Sequence, residues 1–104
     1  MLPGFNLADD ISVFTPTHIA GAAADTAVST NPGVIYGVII GTAGATSSLV
    51  KLYDGAVSGT PLAEIMGDVD NPVFIGPLYA FCASSIHVAT VDSGGTLDCT
   101  ILWR

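Results

Sequence analysis

Residues 33 to 44 read GVIYGVIIGTAG, with glycines 33, 37 and 41 set four apart among Val, Ile and Tyr. That spacing lets membrane helices approach one another closely. The same residues also make a β-branched strand notched by glycine. The two structures need different solvents, so this stretch restricts the fold more than any other. A spanning helix requires about 20 mainly apolar residues. Asn31-Pro32 closes the run on one side and Thr46-Ser47-Ser48 on the other, with Lys51 and Asp54 soon after. Glycine also costs a helix about 1 kcal/mol relative to Ala, and β-branched side chains lose rotamer freedom there. Val34, Ile35, Val38, Ile39 and Ile40 are strand formers. The stretch reads as a strand. Strict alternation puts Gly33, Ile35, Gly37, Ile39 and Gly41 on one face and Val34, Tyr36, Val38 and Ile40 on the other.

The strand period continues beyond it. Strands are predicted at 33–41, 48–54, 61–66, 78–83, 86–91 and 96–103, separated by turn signals such as Asp54-Gly55, Ser58-Gly59 and Ser93-Gly94-Gly95. Val50 and Leu52 share one face of the second; Leu97, Cys99, Ile101 and Trp103 share one face of the last. No sustained helical period and no parallel β-α-β unit appears. The fold class that follows is all-β, an antiparallel β-sandwich or jelly-roll-like barrel. Residues 1–30 are more heterogeneous, broken by Pro3, Gly4 and Pro16. They read as an extended N-terminal arm with one or two short strands, ahead of a sandwich domain over residues 31–104. A strand is expected at Ile11–Phe14, and a short helix over Ala20–Ala27 is weakened by Gly21.

A chain of 104 residues is one domain's worth. Half its residues are hydrophobic and only 11% are charged, where a soluble domain carries about a quarter. Without a membrane segment, that surplus apolar surface is expected to enter subunit contacts, so a homo-oligomer is anticipated. Two basic residues, Lys51 and Arg104, face nine acidic ones, for a formal charge of −7. Nucleic-acid binding needs clustered Lys and Arg, and anionic membrane surfaces repel such a chain; neither partner is expected. MLPGFNLADD lacks the basic and apolar regions of a secretory signal, so synthesis in a cytoplasm is expected. Cys82 and Cys99 then read as reduced core thiols.

Motifs for chemistry are incomplete. Cys82, His87 and Cys99 give three ligands at a spacing that fits no common zinc pattern, with His18 remote from them. Gly67-Asp68-Val69-Asp70-Asn71 hints at a calcium loop but lacks the downstream glutamate, and reads as a turn. No G-x-S-x-G elbow accompanies Ser84-Ser85, and GVIIGTAG fits neither the phosphate loop nor the dinucleotide fingerprint. No enzyme, no cofactor and no metal is expected.

The order of GVIYGVIIGTAG, Tyr53-Asp54-Gly55, Ser58-Gly59-Thr60, Gly76-Pro77 and the terminal TLDCTILWR with Trp103-Arg104 resembles small β-domain virion proteins of tailed bacteriophages. The resemblance covers roughly two-thirds of the chain and leaves out residues 1–30. One departure is Cys82-Ala83-Ser84-Ser85, where a glycine-rich turn would be expected. The resemblance implies a capsid decoration (cement) protein bound outside the shell at capsomer junctions, with the major capsid protein as partner, a trimer as oligomer and the capsid surface as location. A head or tail fibre, or a receptor-contact module, is the alternative, in which Tyr36, Tyr53 and Tyr79 stack on sugars; a small hydrolase or metal protein is a third. Apolar anchors for the shell or a neighbouring subunit are expected in the arm, at Leu2, Phe5, Leu7, Ile11, Val13 and Phe14. Equally, residues 11–15 read as an edge strand of the same sandwich.

Overall fold

The computed structural model describes residues 14–42, 48–68, 70–92 and 97–104. They form nine strands: β1 (Thr15–Ala20), β2 (Ala23–Ser29), β3 (Gly33–Thr42), β4 (Leu49–Asp54), β5 (Ala63–Met66), β6 (Val73–Ile75), β7 (Ala80–Cys82), β8 (Ile86–Val91) and β9 (Asp98–Trp103). Among the described residues no helix is long and apolar enough to cross a membrane. The glycine-notched run is therefore β3.

Two antiparallel sheets result. The first, sheet A, runs β1-β9-β3-β6 with β7 also on β3, and the second, sheet B, runs β2-β8-β4-β5. Strands β6 and β7 lie along the same edge of β3 as one interrupted strand. Val38 faces Ile75 and Ile35 faces Ala80. Three steps on β3 thus match five on the edge, and the excess is accommodated at Gly76-Pro77 and Tyr79, the latter at φ 49°. With β6 and β7 taken together, the first strand pairs with the last, the second with the next to last, and the third with the interrupted strand. The fourth and fifth form a hairpin. That connectivity, folded over two sheets, is a jelly roll. The all-β sandwich expected from the period-two pattern is the fold observed.

The core lies between the sheets. Ile35, Val38, Ile40, Cys99 and Ile101 from sheet A meet Val50, Leu52, Ile86 and Val88 from sheet B, all fully buried. The alternations along β4 and β9 hold: Val50 and Leu52 point inward, as do Cys99 and Ile101, with Trp103 packed at the margin. Gly55 and Gly59 take φ values of 88° and 73° in the loop that returns β4 to β5, as their sequence signals imply.

Three expectations need correction. Residues 15–29 are not an arm separate from the sandwich: β1 pairs with β9 along its whole length and β2 with β8, and Ile19 is in the core. A boundary at residue 30 is therefore misplaced for the described residues. The propensity signal misled because both strands lie at sheet edges and only Ile19 and Val28 supply branched or large apolar side chains to the interior. The short helix weighed for Ala20–Ala27 is absent, its place taken by β2, whose two register shifts fit its small residues. Along β3, strict alternation fails at Tyr36. The register against β9 slips between Ile35 and Gly37, so Tyr36 and Gly37 both point outward and Val38 and Ile40 turn inward. The strand expected at Ile11–Phe14 and the turn at 93–95 lie outside the described residues, save Phe14 itself.

The glycines of β3 are not equivalent. A Cβ on Gly37 would meet the Ile75 carbonyl at 2.9 Å and the Phe74 ring at 3.1 Å, and one on Gly33 would meet the Arg104 carbonyl at 2.7 Å. Among the described residues, one on Gly41 would touch only the Asp98 carbonyl, at 3.9 Å. Chemical denaturation should accordingly show Gly37→Ala and Gly33→Ala each losing about 1–3 kcal/mol, with Gly41→Ala within about 0.5 kcal/mol of the parent. Equal losses at all three positions would contradict these contacts.

Candidate functional site

Among the described residues the two histidines and the two cysteines lie apart from one another. His87, on β8, has Nδ1 2.7 Å from Asp25 on β2, and His18, on β1, bonds Asp98 on β9. Each pair ties an N-terminal edge strand to its neighbour. Cys82 donates weakly to the Tyr53 carbonyl at 3.9 Å, and Cys99 is buried in the core; both are free thiols. Among the described residues no group of three His, Cys, Asp or Glu side chains is placed to hold a metal. The Cys82, His87 and Cys99 set thus does not converge. Of the calcium-like segment, the Asp68 carboxylate accepts from the Asp70 backbone N–H at 2.9 Å, a local turn.

Two carboxylates close ends of the sandwich. Asp92, 7% exposed, accepts from the Ser48 hydroxyl at 2.7 Å and from the Leu97 N–H at 2.6 Å. It thereby holds together the chain before β4, the end of β8 and the start of β9. Asp54, at the end of β4, accepts from the Ala83 and Ser84 N–H groups at 3.0 and 2.9 Å. The turn that lacks glycine between β7 and β8 is organised by this carboxylate instead. Those bonds, from Ser84 first and then Ala83, hold the Asp54 pKa below its ordinary value. Among the described residues no buried side-chain nitrogen or oxygen lacks a partner.

What stands apart is an apolar surface on the outside of sheet A. The outward turn of Tyr36 places its ring 4.3 Å from Phe14 and 5.4 Å, edge-on, from Tyr79. Arg104 lies 5.7 Å above Phe14, within cation–π range. Alongside, Phe74 covers the backbone at Gly37 and Gly76. Phe81 is 65% exposed, Tyr79 56%, Phe74 52% and Ile39 38%. Large side chains this exposed on one sheet face make an apolar surface patch.

Of the anchors expected in the N-terminal segment, Leu2, Phe5, Leu7, Ile11 and Val13 lie outside the described residues. Phe14 is described, and it belongs to this aromatic surface. The three tyrosines do not form one platform, since Tyr53 is buried and sits in sheet B. Phe74 and Phe81 were not singled out from sequence. Val73-Phe74-Ile75 sits between Pro72 and Gly76-Pro77, and its three apolar residues are the strand signal that could have exposed it. No family model, curated protein or solved structure matches this chain.

Burial, then the nearby Asp54 and Asp98 charges, pushes the Cys82 and Cys99 thiols up to about 11. Neither thiol should react with a thiol-directed disulfide reagent at pH 8 in the native chain, while both should react in denaturant; rapid native labelling would contradict the burial. For Asp54 the depressed pKa means stabilisation present above the ordinary value of 3.8 and lost as pH falls through the lower folded value. Asp54→Asn should lower the melting temperature at pH 7, with the difference from the parent shrinking once the pH drops below 3.8. A difference independent of pH would exclude the carboxylate charge as its cause.

Proposed function

We propose that the chain is a virion structural protein of a tailed bacteriophage, a capsid decoration (cement) protein that binds outside the shell at capsomer junctions and stabilises it. The observation that carries the reading is the exposed aromatic face on a β-sandwich whose described polar side chains serve strands and turns. A protein built to assemble into a coat needs rigid surface that gains free energy when removed from water, and Phe74, Tyr79 and Phe81 supply it. The ordered pieces Tyr53-Asp54-Gly55, Ser58-Gly59-Thr60, Gly76-Pro77 and Trp103-Arg104 add the likeness to phage β-domains. Several of their residues have structural roles. Asp54 organises a turn, Gly55 and Gly59 take positive φ, and Arg104 closes the ladder to Val34.

Reinforcement of a shell works by number. Each site adds modest buried area, and repetition over a lattice with several contacts per oligomer converts weak affinity into lasting occupancy. A trimer would match the three-fold positions of an icosahedral shell. The charge of −7 suits a coat that must not collect nucleic acid. Fibre or receptor contact is the second reading, favoured by one observation, the exposed Tyr79 ring beside Tyr36.

Copy number on native particles that carry the chain separates the two, measured by quantitative mass spectrometry with imaging. Hundreds of copies spread over the shell are expected, along with a lower melting temperature of particles stripped of the protein. A handful of copies at a vertex or tail would favour the fibre reading, and absence from particles would overturn both.

A further inference from the structure

We propose that the outer face of sheet A, centred on Phe74, Tyr79 and Phe81, binds a second copy of this chain. The inference takes up the oligomer in the structural-protein reading and assigns its interface.

Charge is the first reason. On that face His18 and Asp98 are paired at one end, and Arg104 lies over Phe14 at the other. The outward positions between them, Leu102, Thr100, Ile39, Phe74, Val34 and Phe81, carry no charge. The outer face of sheet B, by contrast, carries Lys51 against Glu64 and Asp25 against His87. Two copies each at −7 repel, and they approach at least electrostatic cost through a face whose one carboxylate side chain among the described residues, Asp98, is paired at its margin.

Area is the second. Phe74, Tyr79 and Phe81 are 52%, 56% and 65% exposed, and with aromatic side chains of about 150–250 Å² they leave on the order of 350 Å² of ring surface in water. A standard interface takes about 800 Å² from each partner, a little over half of it non-polar. These rings with Ile39, Val34 and Leu102 provide most of that apolar share.

Geometry selects a face contact over an edge contact. One edge of sheet A contains Pro16, and the other is interrupted at Gly76-Pro77, so neither offers an unbroken row of backbone partners. A sugar ligand would need hydrogen-bonding groups around the rings, and Phe74 and Phe81 have none. A largely apolar patch with no net charge at its centre can meet its own copy and suits a closed assembly of identical chains.

Sedimentation velocity of the full chain over a range of concentrations, with variants, tests this. The parent chain should associate reversibly. Phe81→Glu should weaken association at least about tenfold. Tyr79→Asn, which keeps a residue type at ease with positive φ, should do likewise. Neither should change the circular dichroism spectrum. Met66→Glu is the control: Met66 is 62% exposed on the outer face of sheet B, and its variant should associate like the parent. A parent chain monomeric at the highest concentration, or equal effects of Phe81→Glu and Met66→Glu, overturns the proposal. Association lost on deleting residues 1–13 but untouched by Phe81→Glu also overturns it, by assigning the contact to the N-terminal segment. Shell binding is scored separately. A chain that associates through this face but binds no shell sinks the cement reading alone, and one that binds shells as a monomer sinks the interface alone.

Discussion

The bulge at Tyr36 is the constraint on which the rest depends. Strand β3 is the hub of sheet A, bonded to β9 on one side and to β6 and β7 on the other. A side-chain period of two fixes which face each residue takes, so one extra residue reverses everything beyond it. Without the slip between Ile35 and Gly37, Val38 and Ile40 would face water and Ile39 the interior. With it, Ile35, Val38 and Ile40 all enter the core, and Tyr36 is released to build the aromatic surface with Phe14 and Tyr79. Gly37 is the companion of that slip, since only a residue without Cβ lets the Phe74 ring lie against the strand. Packing and surface thus have a common origin.

The ends of the sandwich are held by carboxylates. Asp92 gathers Ser48 and Leu97 at one place, and Asp54 gathers Ala83 and Ser84 at another. A charged acceptor bonded to backbone N–H groups is stronger than a neutral one, and it fixes a turn without glycine's entropic cost. This explains how Cys82-Ala83-Ser84-Ser85 turns the chain with ordinary residues. It also ties part of the acidic composition to architecture rather than to any ligand. On the outside of sheet A, among the described residues, the acid is Asp98, and it is paired with His18.

The sequence made the sandwich legible because β4, β8 and β9 alternate cleanly and their turns carry Asp-Gly and Ser-Gly signals. Strands β1 and β2 were harder to read. Edge strands bury one margin only, so TPTHIA and AADTAVS need few large apolar residues, and they resemble a loose arm. The face assignment along β3 failed for a related reason: a bulge leaves no mark in a run of apolar residues when both of its residues, here Tyr36 and Gly37, are compatible with either side. Phe14 packs on Tyr36 within the chain, a pairing that no local pattern encodes. Phe74 and Phe81 escaped notice because they project from short strands whose outward side is set by pairing with β3, a long-range property that no local pattern encodes.

The slip at Tyr36 creates the apolar face, and its proposed occupant is another copy of the chain. Hydroxyl-radical footprinting at increasing protein concentration addresses it residue by residue. Phe74, Tyr79 and Phe81 should become protected as association proceeds, while Met66 on the opposite outer face keeps its reactivity. Unchanged labelling of all three rings across the association range, or protection at Met66 in their place, would contradict it.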